Sequence, residues 1–117
     1  MWLNPEGDYL KGWIFIGLVC VLLISGCVQV QEIPSPEEQA KMKCIELCKK
    51  SEIDLSNGPC LSDDNPEWDV NNWVCDVAHS PREAVDNLPE NQCRAFREGK
   101  ARHFVEVNPN CEFIKAV

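Results

Sequence analysis

Two histidines and a set of cysteines are the residues here whose types can carry chemistry. His79 stands in the run Asp76-Val77-Ala78-His79-Ser80-Pro81-Arg82, and His103 opens His103-Phe104-Val105-Glu106-Val107. Two imidazoles and a carboxylate such as Glu106 can hold zinc with one position open for a hydrolytic water. No H-E-x-x-H or H-x-H spacing brings them together, so strand-end histidines bonded to backbone or to a nearby carboxylate are the simpler expectation. No catalytic residue, metal or cofactor is expected; His79, His103 and Glu106 are the candidates should a metal bind. Ser80 makes a poor nucleophile for His79, because adjacent residues on extended chain point to opposite faces. Asp63, Asn65, Glu67 and Asp69 alternate as calcium ligands do, but an EF-hand loop needs glycine where Trp68 stands and glutamate where Val74 stands. The stretch reads as an incidental acidic loop.

The chain has eight cysteines in 117 residues. Six lie beyond position 40: Cys44, Cys48, Cys60, Cys75, Cys93 and Cys111. No C-x-x-C pair occurs among them, which argues against zinc-ribbon and thioredoxin-type readings. An even set in a small exported domain serves as disulfides. Cys44 and Cys48 lie one helical turn apart, too far for their Cβ atoms to meet at the ~3.8 Å a disulfide wants. They are expected to take different partners, with the rest of the connectivity open.

Whether the cysteines can be disulfides depends on where the chain resides. Residues 13–24 contain nothing polar, and no charge falls between Lys11 and Glu32. A spanning helix needs about 20 mostly apolar residues, so 12–31 is read as a short transmembrane anchor or a signal segment, with 1–11 a cytoplasmic leader. Ile24-Ser25-Gly26-Cys27 looks like a lipobox, in which the Cys27 thiol would take a diacylglycerol. The acids Glu6 and Asp8 in the leader favour an uncleaved signal-anchor instead. Either way a tethered domain follows. Lys11 precedes the run and no basic residue follows until Lys41, which favours a cytoplasmic N-terminus and an extracytoplasmic C-terminal domain.

The elements that position these residues follow in order. Residues 32–35 read as a linker and 36–117 as the cysteine-stapled ectodomain. Ser35 is a good N-cap, Pro36 suits the first helical turn, Glu37 and Glu38 suit the positive helix end, and Lys49 and Lys50 the negative one. A helix from 36 to about 50 is expected, burying Ala40, Cys44, Leu47 and Cys48. Residues 51–72 read as loop. Strands are expected at 73–78, 103–107 and 111–117, and a short second helix at 90–98, stopped by Gly99. The fold class is therefore α+β: an N-terminal apolar helix, then two helices and a small antiparallel sheet joined by disulfides.

Net charge is −8, which argues against nucleic acid as a partner. Residues 52–90 carry a single basic residue, Arg82, whereas Arg94, Arg97, Lys100 and Arg102 crowd 94–102. The two blocks are expected to complement each other within the molecule, the alternative being a basic strip for an anionic envelope partner. Trp68 and Trp73 flank the acidic loop, as core residues or as an exposed aromatic pair of the kind that binds carbohydrate.

The stretches LSNGPCLS (55–62), WVCDVAHSPR (73–82), DNLPENQC (86–93) and HFVEV (103–107) resemble small, cysteine-rich, N-terminally anchored archaeal proteins of no assigned function. The resemblance covers roughly the exported half and implies an envelope location and a stapled domain; it transfers no activity. The sequence thus points to a membrane-anchored extracytoplasmic binding or structural module. Its partners would be membrane lipid and an envelope ligand or partner of unknown identity. The alternative is a metal-dependent envelope hydrolase built on His79, His103 and a carboxylate.

Overall fold

The computed structural model describes residues 29–117. The leader, the apolar run up to residue 28, and Cys27 lie outside the described residues. By its contacts the chain divides into Met1–Ile33 and Pro34–Val117. Of the first unit, residues 29–33 are exposed and carry no regular structure. Among the described residues no helix is long and apolar enough to cross a membrane.

The second unit opens with helix α1, Pro36–Lys50. The Ser35 side chain accepts from the Glu38 amide at 3.2 Å, so the cap does what its sequence predicts. Ala40, Cys44, Leu47 and Cys48 are buried on one face. Residues 51–72 form no regular element. Strand β1 is Trp73–Val77, β2 is His103–Val107 and β3 is Phe113–Ala116.

The sheet order is β1-β2-β3. β1 pairs with β2 in parallel, and β2 with β3 antiparallel, with an irregularity between Glu106 and Val107. The sheet is therefore mixed, which corrects the expected antiparallel sheet. The cause lies in the connections. A parallel pair needs a crossover of a dozen or more residues, and 78–102 supplies one; the short turn at 108–112 permits the antiparallel return. The far edge of β1 is also occupied: the Val77 amide donates to the Pro59 carbonyl at 3.0 Å and the Leu61 amide to Cys75 at 2.8 Å. β1 is thus paired on both sides, and all five of its residues are buried.

The expected second helix is broken into pieces. Two 3-10 turns, Ala84–Asn87 and Pro89–Asn91, precede α2, a single turn at Arg94–Arg97. Pro89 lies just before the expected 90–98 run and opens the second of these turns, and α2 starts only after Cys93.

Alternation along the strands builds two layers. Trp73, Cys75 and Val77 join Val105 and Val107 on the face covered by Ala40, Cys44 and Cys48 of α1. Val74 turns to the other face, where it meets Cys93 and Ala101, with Ala95 and Phe104 packed alongside. Three disulfides tie the layers: Cys44–Cys75 joins α1 to β1, Cys48–Cys111 joins α1 to the turn before β3, and Cys60–Cys93 joins the loop to the start of α2. Cys44 and Cys48 take different partners, as helical spacing requires. In the loop-entropy model, a loop of 31 to 63 residues closed by one such bond stabilises a fold by about 4 kcal/mol.

Candidate functional site

Both β1 and β2 carry a carboxylate at their fourth position, between apolar residues. Because the two strands run parallel with Trp73 opposite His103, Asp76 lies opposite Glu106. Lys115 of β3 lies opposite Glu106 on the other side. Asp76, Glu106 and Lys115 therefore form a row across the sheet, on the face turned away from α1. With Val74, Phe104, Arg82, Gln92, Phe96 and Arg97 they line a cleft of about 490 Å³.

Each member of the row has a different electrostatic situation. Glu106 is 6% exposed. Its Oε1 accepts from Arg82 Nη1 at 3.0 Å, and Lys115 Nζ stands 3.9 Å from Oε2. Arg82 also donates from Nε to Asn87 Oδ1 at 2.7 Å and from Nη2 to the Asp86 carbonyl at 3.2 Å. One planar guanidinium so fixes three acceptors, which a lysine has no geometry to do. Asp76 is different. It is 9% exposed, and its Oδ1 is buried with no hydrogen-bond partner. Burial first, then the adjacent Glu106 charge, push its carboxyl up to about 8, with Arg82 pulling the other way. At neutral pH Asp76 is mostly a neutral acid beside an ion-paired carboxylate. Such an arrangement gives a cleft one hydrogen-bonding acid and one fixed negative charge under a cationic rim.

Aromatic side chains line the cleft beside the row. Phe96 and Phe104 meet edge to face with centroids 5.1 Å apart, and Phe96 is 41% exposed. Arg97, on the same turn of helix, is exposed and lines the cleft.

The histidines have separate surroundings. His79 Nδ1 lies 2.9 Å from Asp86 Oδ1 and 3.3 Å from Glu83 Oε2. Asp86 is 1% exposed and also accepts the His79 amide at 3.0 Å and the Glu83 amide at 2.9 Å. Burial opposes its ionisation, but those two amides and the His79 ring prevail and hold its carboxyl below the usual range. Gly58 makes room for this knot. Its φ is +67°, and a Cβ there would run into Asp86 Oδ1 and stand 2.9 Å from the Val77 carbonyl. His103 instead stacks on Trp73, with centroids 4.7 Å apart, and its Nδ1 lies 3.3 Å from the Val117 carbonyl. Glu106 belongs to the cleft, bonded to Arg82, and not to either imidazole. Among the described residues, one trio of metal-capable side chains converges, Cys60, Asp63 and Cys93; its two sulfurs are bonded to each other.

The acidic loop holds the fold together. Asp63 accepts from the Arg94 and Ala95 amides at the start of α2. Asp64 pairs with Arg94 at 3.0 Å, Asp69 pairs with Lys43, and Asn65 accepts the Glu67 amide within the loop. The acidic and basic blocks thus meet inside the molecule at Arg94. Trp73 is core, and the half-buried Trp68 donates its indole N–H to the Trp73 carbonyl at 2.9 Å.

Sequence reasoning singled out Glu106 as a metal candidate and passed over Asp76 and Arg82 as site residues. The available signal was an acid at the fourth position of each strand. Its use required knowing that the strands pair in parallel and in register. No protein-family model, curated protein or solved structure matches the chain.

Proposed function

We propose that the chain is a membrane-tethered, extracytoplasmic binding module. Residues 12–31 hold it to the membrane, as an uncleaved anchor or, after processing, through a lipid on Cys27. The cleft beside Asp76 and Glu106 is its recognition surface. The observation that carries this reading is the complete pairing of the six cysteines beyond position 40 into three disulfides. Disulfides of this kind persist in oxidising compartments, and mesophile cytosol keeps thiols reduced. An uncharged apolar run ahead of the domain supplies a route out of the cytosol. The likeness to small anchored archaeal proteins agrees with an envelope location. The anchor's partner is membrane lipid, and the basic side chains around the cleft turn its recognition away from simple cations.

Intact-mass measurement of the protein extracted from membranes, with free thiols alkylated before lysis, tests the reading. The expected species carries no alkylation at the six ectodomain cysteines. It is either the full-length chain or a chain beginning at a diacylglycerol-modified Cys27. A soluble species with alkylated cysteines overturns it.

A further inference from the structure

We propose that the Asp76 cleft binds a small zwitterion of the amino-acid class, its ammonium group on Asp76, its carboxylate on Arg97 and its apolar substituent against Phe96 and Phe104. The inference rests on the reading of this domain as a binding module and gives that module a ligand class.

Four observations carry it. Asp76 lines the cleft, and its Oδ1 is buried without a partner. Buried polar atoms in folded proteins are nearly always paired, so a donor arriving in the cleft completes it. The neighbouring polar groups are already engaged: Glu106 with Arg82 and Lys115, and Arg82 with Asn87 and the Asp86 carbonyl. Arg97 lines the same cleft, and among the described residues no acid forms an ion pair with it. Phe96 and Phe104 add an apolar wall, and about 490 Å³ accommodates one amino acid or a dipeptide.

Charge selects between ligand classes. A simple cation satisfies Asp76 but meets Arg82, Arg97 and Lys115. A simple anion satisfies Arg97 but meets Glu106 and leaves Asp76 without a donor. A neutral sugar reaches Asp76 through a hydroxyl and leaves Arg97 unanswered. A zwitterion serves both ends at once.

Binding is also coupled to a proton. The groups facing Asp76 are Glu106 on β2, Lys115 on β3, Asp86 and Arg82 from the crossover, and Arg97 on α2. Burial, with the charges of Glu106 and Asp86, keeps Asp76 mostly protonated at neutral pH against the pull of Arg82. An ammonium seated on it favours the carboxylate, so the Asp76 proton leaves to solvent.

The test is calorimetry on the full chain in detergent micelles, titrated with leucine and phenylalanine, their N-acetyl derivatives, their methyl esters, and glucose. It is run at pH 7 in two buffers of different ionisation heat. The free amino acids are expected to bind with proton release. Each blocked derivative, and the Asp76→Asn and Arg97→Gln variants, should bind at least about tenfold more weakly, with proton release lost in Asp76→Asn. Arg97 is exposed, so its variant tests the site even if Asp76→Asn folds poorly. Absence of amino-acid binding, equal binding of the N-acetyl forms, or binding of glucose in their place overturns the ligand assignment. None of those results alters the cysteine mass pattern, which tests the export reading separately.

Discussion

Replacing Asp76 by asparagine should remove a pH dependence from folding. The wild-type carboxyl is pushed up to about 8 when folded and has its ordinary value of 3.8 when unfolded. Between those values the folded chain holds a proton that the unfolded chain has released. The stability slope is 2.303RT multiplied by protons bound unfolded minus protons bound folded, here zero minus one. The sign is negative: this contribution is fully present below the unfolded pKa and is lost as pH rises toward 8. The slope is about 1.4 kcal/mol per pH unit, so wild type should lose ~2.7 kcal/mol from this group between pH 5 and pH 7. Asparagine keeps the shape and has no proton to lose. Urea unfolding of both proteins, followed by tryptophan fluorescence in micelles at pH 5, 6 and 7 with disulfides intact, measures the difference. Parallel stability curves for the two proteins across that range would refute the burial argument for Asp76.

Other expectations follow from the same packing. Asp86→Asn should cost about 2–3 kcal/mol at pH 7, because it removes the charge that two backbone amides and the His79 ring hydrogen-bond to; urea unfolding measures it. The folded Asp86 pKa is depressed, so its stabilisation exists above the unfolded value and disappears as pH falls through the folded one. Acid unfolding of wild type, but not of the variant, should therefore include this group's protonation, seen as an extra proton uptake below about pH 4. Gly58→Ala adds a Cβ against Asp86 and the Val77 carbonyl at a positive φ, and should lower stability by roughly 2–4 kcal/mol by urea midpoint. The Cys48→Ala, Cys111→Ala double variant opens the longest cross-link, with a sequence separation of 63, and should lose about 4 kcal/mol in the same assay.

The first helix was legible to the residue, because four independent signals agree on its ends: Ser35, Pro36, the acids in its first turn and the lysines in its last. The two cysteines a turn apart named its buried face. β2 was legible from its β-branched and aromatic residues. The β1–β2 pairing is parallel where an antiparallel sheet was expected, although the long crossover at 78–102 and the short turn at 108–112 contain that information. The second helix is shorter than its residues suggest, because Pro89–Asn91 takes a 3-10 turn and α2 begins only after Cys93. The cleft was hidden for a different reason. Asp76 and Glu106 lie thirty positions apart in sequence, and only the register of two strands puts them side by side. The histidines drew attention by residue type. Residue type says nothing about neighbours, and theirs are Asp86 for one and Trp73 for the other.

The two bonds from α1 also decide how the domain meets mechanical load. Tension entering through residues 29–35 reaches Pro36 first and can peel the helix only as far as Cys44, where a covalent link passes the load to the middle of β1. The slack available is 36–44, roughly 30 Å of extended chain. Pulled in an optical trap by its N-terminal end and Val117, the oxidised molecule should yield in short steps, whereas a reduced one should unravel along its whole length.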